Sequence, residues 1–295
     1  MQNLNPSKPE WIRIKLQTDD PFKDIKAILK RLNLHTICES AHCPNIFECW
    51  NSGTATFMIL GDTCTRGCRF CTVGKSVKGI SVDENEPEKL ASAVKAFSLD
   101  YVVLTSVCRD DLEDGGAEHF ANCIKAIKKE TNAMVEVLIP DFRGKIEDLK
   151  KVADVKPEVI AHNIETVRRL QGIFRDRRAN YEQSLSVLEN VKKLNPNIFT
   201  KSSIIVGFRE TEEEVIETMR DSRKIGVDFL TIGQYLRPSN WHIQISEYVS
   251  PEKFEFYKKK GEELGFKYVA SGPFVRSSYH AGEVRNQYDK RRQIK

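Results

Sequence analysis

The 295-residue chain is predicted to fold as an α/β protein. The expected form is an incomplete (β/α)6 TIM-like barrel with a cysteine-bearing N-terminal extension and a C-terminal capping extension. Two observations predict it. Short apolar runs rich in β-branched residues alternate six times with longer charged stretches of helical period. Unusual polar motifs (GDTCTRGCRFC, TSVCRDD, HNIET and GQYLRP) follow directly after the apolar runs, at the strand ends where parallel α/β folds place their chemistry.

The strands are read at 54–60, 101–106, 134–140, 159–163, 199–207 and 229–236, and the helices near 86–97, 115–130, 145–152, 165–171, 180–193 and 211–225. Each return crosses over through a helix, so neighbouring strands are predicted to be parallel. SIIVG is apolar enough for burial on both faces. Pro140, Pro157 and Pro196 punctuate the boundaries. Six units fall short of a closed eight-fold barrel; a doubly wound sheet is the alternative. Residues 1–53 read as the N-terminal extension, with one or two short helices between Trp11 and Leu34 and a cysteine-bearing loop up to Trp50. Residues 54–249 carry the barrel. Residues 250–295 supply a helix, then KYVASGP and RSSYHAG, as a cap ending in a basic tail.

Hydrophobic content of 40% and charged content of 30% suit a well-packed soluble enzyme. A mean hydropathy of -0.44, and the lack of an apolar run of about 18 residues, predict no membrane span. The N-terminus has no secretory pattern, which predicts a cytoplasmic protein. The net charge of +4 gathers at KKKGEE and at the terminal DKRRQIK, with Arg291, Arg292 and Lys295. These runs are shorter than a nucleic-acid groove needs, so no nucleic-acid partner is expected. They are either a solvated tail or a contact for an acidic protein.

Six of the eight cysteines lie between Cys38 and Cys71, in two groups of three. In a reducing compartment such clustering points to metal rather than disulfides. Cys64, Cys68 and Cys71 form a C-x3-C-x2-C loop just after the first strand. Three thiolates on a tight loop can hold three irons of a [4Fe–4S] cube and leave the fourth open to a small chelating molecule. Zinc with a fourth ligand is the competing reading. Cys38, Cys43 and Cys49 make a C-x4-C-x5-C group, for which zinc with His42 or His35 is again an alternative.

GDTCTRGCRFC resembles the signature loop of the radical S-adenosylmethionine superfamily. CESAHCPNIFECW resembles the auxiliary-cluster motif of lipoyl synthases, and TSVCRDDLEDGGAEHF, VEVLIPDFRG, HNIETVRRL, DFLTIGQYLRPS and VASGPFVRSSYHAG extend the likeness over roughly residues 36–282. The resemblance implies two [4Fe–4S] clusters. One, on Cys64, Cys68 and Cys71, would bind S-adenosylmethionine and generate a 5′-deoxyadenosyl radical. The other, on Cys38, Cys43, Cys49 and Ser278, would donate sulfur. The implied reaction inserts two sulfur atoms at the sixth and eighth carbons of an octanoyl chain amide-linked to a lysine of a lipoyl carrier domain. Those carbons bear no activating group, so no general acid or base is expected. Implied partners are the octanoylated carrier, a flavodoxin- or ferredoxin-type electron donor and an iron–sulfur carrier.

Thr105, Ser106, Arg109 and Asp110 after the second strand, and Asn163 and Glu165 after the fourth, are expected either to contact S-adenosylmethionine or to cap the helices that follow. Arg109 and Glu165 stand out because a charge at the barrel mouth has few structural uses. Cys108 and Cys123 are expected to be packed free thiols. The sequence has Ser203 and Arg209 where the family would have glycine, which predicts loss of positive φ in that loop. A methylthiotransferase-like enzyme fits less well, because about 60 residues remain after the sixth strand and its extra domains need more. A biotin synthase-like enzyme fails to account for the upstream triplet. A non-catalytic electron-transfer protein has no need of the barrel, and a zinc-binding nucleic-acid module is the last alternative.

Overall fold

The computed structural model describes residues 7–13, 23–40, 43, 45–279 and 281–283. His42 and the basic tail with Arg291, Arg292 and Lys295 lie outside them. Helix α1 (Lys23–Leu32), strand β1 (His35–Thr36) and helices α2 (Ile37–Ser40) and α3 (Ile46–Asn51) precede the barrel. Then come β2 (Thr54–Ile59), β3 (Thr63–Cys64), β4 (Gly74–Lys75), α4 (Glu86–Ala96), β5 (Tyr101–Ser106), α5 (Ala117–Glu130), β6 (Met134–Leu138) and α6 (Ile146–Asp154). The second half holds β7 (Val159–Ala161), α7 (Gln171–Phe174), α8 (Tyr181–Leu194), β8 (Phe199–Val206), α9 (Glu212–Lys224), β9 (Phe229–Gln234), α10 (Pro251–Glu263) and β10 (Tyr268–Gly272).

The large sheet runs β1-β2-β5-β6-β7-β8-β9-β10. Every pair is parallel except β1 on β2. The six expected strands are all present, and the C-terminal segment adds a seventh parallel one, with Tyr268 opposite Phe229. The helix expected at 165–171 is shorter: Arg168–Leu170 is a 3-10 turn leading into α7.

Strand alternation divides the core into two layers. Val102, Leu104, Val135 and Val137 face outward onto α4, α5 and α6. Tyr101, Val103, Val159, Phe199 and Phe229 face the lumen, where Ala281 packs among them. One layer higher, Lys201 Nζ contacts Glu136 at 2.8 Å, and the Tyr101 hydroxyl donates to the other Glu136 oxygen at 2.7 Å. All three are buried, which is tolerable only because each charge has a partner.

Side-chain caps fix where α8, α9 and α10 begin. Thr211 and Glu214 form a reciprocal capping box on α9, and Ser250 caps α10 ahead of Pro251. The expected loss of positive φ is not observed at Arg209. Ser203 lies inside β8, where none is needed, and Arg209 holds φ 72° without glycine.

Candidate active site

Strand β2 delivers the C-x3-C-x2-C loop. Beyond Ile59, Leu60 and Gly61 turn the chain through φ of 66° and 84°. Two clamps hold this turn. The Glu86 carboxylate accepts the Leu60 N–H at 3.1 Å, with His119 Nε2 2.6 Å from the same oxygen. Arg109 donates to the Leu60 carbonyl at 3.0 Å and forks onto both oxygens of Asp111 at 2.9 Å. Pairing of Thr63–Cys64 with Gly74–Lys75 closes the base of the loop.

Inside the loop, Arg66 is buried. Its Nε and one terminal nitrogen donate to the two Asp110 oxygens at 2.8 Å, and both terminal nitrogens reach Asp141 at 2.5 and 2.7 Å. This double fork ties the loop to the segments after β5 and β6. Burial alone would raise the Asp141 carboxyl, but Arg66 overrides it and holds the group at about 2. Asp176 accepts the Gly67 N–H at 2.8 Å, and its own N–H points at the Cys68 sulfur at 3.3 Å.

The three thiols of this loop act on one another electrostatically, so they converge. Burial pushes Cys71 up to about 11 and raises Cys68. A hydrogen bond with Cys108 draws Cys64 down to about 6. Cys108, expected to be simply packed, therefore faces a candidate ligand. A bound cationic cluster would reverse these preferences by stabilising the thiolates together, so the donor set fits iron.

The loop walls a cavity of about 290 Å³. Of the residues expected to contact S-adenosylmethionine, Thr105, Ser106, Asn163 and Glu165 line it and Arg109 and Asp110 do not. Asp110 is spent on Arg66 and Thr65, and Arg109 is turned away to Asp111 and Leu60. Both position the loop.

Arg175 is a cavity residue that the sequence did not single out. One terminal nitrogen donates to Gln171 and Ser184, while its Nε is buried without a partner. The Asn163 side-chain oxygen is orphaned in the same way. Such groups are costly unless a ligand pairs them. Glu165 adopts φ 70°, held by Ser203 and Ile205 of β8 at 3.0 and 2.7 Å. Burial raises its carboxyl, against the pull of Arg175. His162, also on this wall, donates from Nδ1 to the Ile139 carbonyl at 2.9 Å. Burial lowers it to about 4, so it stays neutral.

The second cysteine group approaches the same cavity. Cys38 and Cys49 are buried and Cys43 half-buried; burial raises Cys38 and Cys43, and the Cys43 charge adds to the rise at Cys38. Asn45 donates to the Phe274 carbonyl at 2.7 Å across 229 residues of sequence. Arg276 lies close enough to Cys43 for each charge to shift the other, and the Tyr279 hydroxyl is 3.4 Å from both Glu48 oxygens. Ile37, Ser277 and Ser278 complete the cavity rim, so the RSSY segment and the cysteine segment meet there. His35 lies on β1 opposite Met58. The His/Cys/Asp/Glu group with ligand atoms within 4.8 Å of one another among the described residues is elsewhere: Glu86, His119 and Cys123, on the helix side of the sheet.

Comparison with known proteins agrees with this geometry. Residues 58–222 match the radical SAM superfamily. The apicoplast lipoyl synthase of Plasmodium vivax is 53% identical over 98% of this chain, which spans 66% of that relative's length. The lipoyl synthase of Anaeromyxobacter dehalogenans is 52% identical over 95% of this chain and 96% of its own. Among solved structures, methylornithine synthase superposes with a TM-score of 0.55 at 13% identity, covering 86% of this chain and 83% of its own, a likeness of fold alone. The chain belongs to the lipoyl synthase family of the radical SAM superfamily.

Proposed function

We propose that the chain is a sulfurtransferase inserting two sulfur atoms at the sixth and eighth carbons of an octanoyl chain, amide-linked to a lysine of a lipoyl carrier domain. The observation that carries this reading is one cavity lined by Cys64, Cys68, Cys71 and Ser278, with Ile37 beside Cys38 on its rim and the Cys43 segment held to the RSSY segment through Asn45 and Arg276. Cys64, Cys68 and Cys71 would hold a [4Fe–4S] cluster with one iron left for S-adenosylmethionine; Cys38, Cys43, Cys49 and Ser278 would hold the second. When bound, these groups supply a 5′-deoxyadenosyl radical, able to take hydrogen from an unactivated carbon, and the sulfur to be inserted. A cube spaces its thiolates more widely than a single ion does, so the chain's cysteines need not crowd to serve it.

The protein's own part is positioning and exclusion. Arg66 and its two aspartates fix the loop. The orphaned Arg175 Nε and Asn163 oxygen offer a donor and an acceptor to a polar cosubstrate, with Glu165, Thr105 and Ser106 beside them. Met58, Phe70, Val73 and Ile139 line the remainder with apolar surface, which suits an alkyl chain and keeps water from a reactive intermediate. The barrel from residue 54, which β10 extends, thus works with the N-terminal extension and the RSSY segment around one site. A flavodoxin- or ferredoxin-type protein would deliver electrons, and an iron–sulfur carrier would rebuild the sulfur-donating cluster. We place the enzyme in a reducing compartment such as the cytoplasm, where clustered cysteines are kept from forming disulfides; no helix among the described residues is long and apolar enough to cross a membrane.

Anaerobic iron and sulfide counting tests the reading. About eight irons per chain are expected, four for each cube, and zinc alone would end it. Mass analysis of an octanoylated carrier peptide, incubated with S-adenosylmethionine and reductant, should show two sulfur atoms gained; an unchanged peptide counts against it.

A further inference from the structure

On the helix side of the sheet, three side chains of different chemistry converge. Glu86 opens α4, and His119 and Cys123 sit one turn apart on α5, which packs beside it. A spacing of four residues puts both on one helix face. The carboxylate oxygen, the imidazole nitrogen and the thiol sulfur lie within 4.8 Å of one another. Cys123 is fully buried, and the Glu86 and His119 side chains are only 8% and 10% exposed. None of the three lines the reaction cavity.

A hydrogen-bonded pair explains two of them. A carboxylate can only accept, so His119 donates from Nε2 at 2.6 Å, and the Leu60 N–H takes the same oxygen at 3.1 Å. The thiol is left unexplained. Burial and the Glu86 charge both push Cys123 well above its ordinary value, so in the protein alone the carboxylate opposes a thiolate. A divalent ion reverses that preference. One carboxylate and one thiolate cancel its two charges, and the complex is buried with no net charge. A set of one oxygen, one nitrogen and one sulfur donor is too soft for magnesium or calcium and suits zinc.

We propose that Glu86, His119 and Cys123 form a structural zinc site, separate from the reaction cavity and from both cysteine groups. It does not rest on the reaction given above. Binding releases one proton: Cys123 loses its thiol hydrogen as the sulfur–zinc bond forms, and the neutral imidazole carries its hydrogen on Nδ1 so that Nε2 faces the ion. A water or the second Glu86 oxygen completes four ligands. The ion ties α4 to α5 and both to the turn ahead of Cys64. At that turn Glu86 accepts the Leu60 N–H, and Gly116, at the start of α5, packs so closely that a Cβ would lie 2.3 Å from Leu60 Cδ1.

The test loads the reconstituted iron–sulfur holoenzyme with zinc under anaerobic conditions, removes loose ion by gel filtration with a weak chelator, and reads metal content and zinc X-ray absorption. About one zinc per chain is expected beside the iron, with one sulfur at about 2.3 Å and nitrogen or oxygen at about 2.0 Å. Cys123→Ala and His119→Gln should each bind zinc at least roughly tenfold more weakly, with iron content unchanged. Glutamine keeps a donor for Glu86, so His119→Gln separates loss of a ligand from loss of a hydrogen bond. A parent holoenzyme that retains no zinc overturns the proposal. So does zinc surrounded by three sulfurs, which would place it in a cysteine triplet, and so does zinc binding that either variant leaves unchanged. Low iron with zinc that still follows His119 and Cys123 would uphold this site and count against the cluster reading instead.

Discussion

Asp141→Asn isolates the electrostatic part of the Arg66 clamp. The amide keeps the shape and one acceptor but removes the charge facing a buried guanidinium. In the parent, Arg66 holds the Asp141 carboxyl at about 2, against an ordinary 3.8. Its side chain is 1% exposed, so solvent screening is slight. Such a depression contributes about 2 to 3 kcal/mol at neutral pH. The sign follows from its direction: the contribution is complete above the unfolded value, falls to about half by pH 3, and is gone once pH drops below 2. Urea unfolding of the metal-free chain under anaerobic conditions should show the variant weaker by that amount at pH 7, with unchanged m and Tm lower by about 5 °C. The gap should narrow as pH falls from 5 to 3. Asp110→Asn should cost less, because Asp110 is 14% exposed. A loss at pH 7 of less than about 0.5 kcal/mol, or one that does not vary with pH, would refute the assignment of Asp141 as a charged clamp.

Lys201→Met leaves the buried Glu136 charge with no counter-charge, only the Tyr101 hydroxyl, and should cost about 3 to 5 kcal/mol; adding Glu136→Gln should restore most of it, as read by the same unfolding curves. Thr211→Ala removes the α9 capping box and should cost about 1 kcal/mol while leaving iron content untouched. Cys64→Ala and Cys49→Ala should each reduce iron to about four per chain. Only Cys64→Ala should abolish release of 5′-deoxyadenosine, measured chromatographically; equal loss in both would contradict the division of labour between the two groups.

The barrel was legible because a strand buried on both faces has to be apolar along its length, and YVVLTS and SIIVG are. Strand β10 escaped notice because YVASG is built of small and polar residues. It packs where a bulkier partner has no room: a Cβ on the facing Gly233 would lie 2.1 Å from the Val275 carbonyl. Spacing alone brought out the cysteine loop. Asp110 was misread, and so was Arg109, taken for a cavity charge because charges at strand ends so often are. Its neighbour Asp111, two positions along, was the sign that the guanidinium already had a partner. Arg175 sits in FRDRR, where nothing in the sequence separates one arginine from the next. Its distinction comes from Gln171, Ser184 and the cavity, which only the fold brings together. Arg209 shows the opposite error, since a residue type that disfavours a backbone conformation does not forbid it.

The Asn45–Phe274 hydrogen bond gives the two cysteine groups different histories. A chain leaving the ribosome folds from its N-terminal side. Of the partners of the Cys64 loop, Asp110, Asp141 and Asp176 have been made before β8 begins, and His242 and Ile243 follow β9. The partners of the Cys43 segment, Phe274 and Arg276, emerge only after β10, when the barrel is otherwise complete. Cys38, Cys43 and Cys49 are synthesised first but acquire their native surroundings last. If both groups hold clusters as proposed, the upstream site would be the last to be completed, and the order of maturation would run against the order of synthesis.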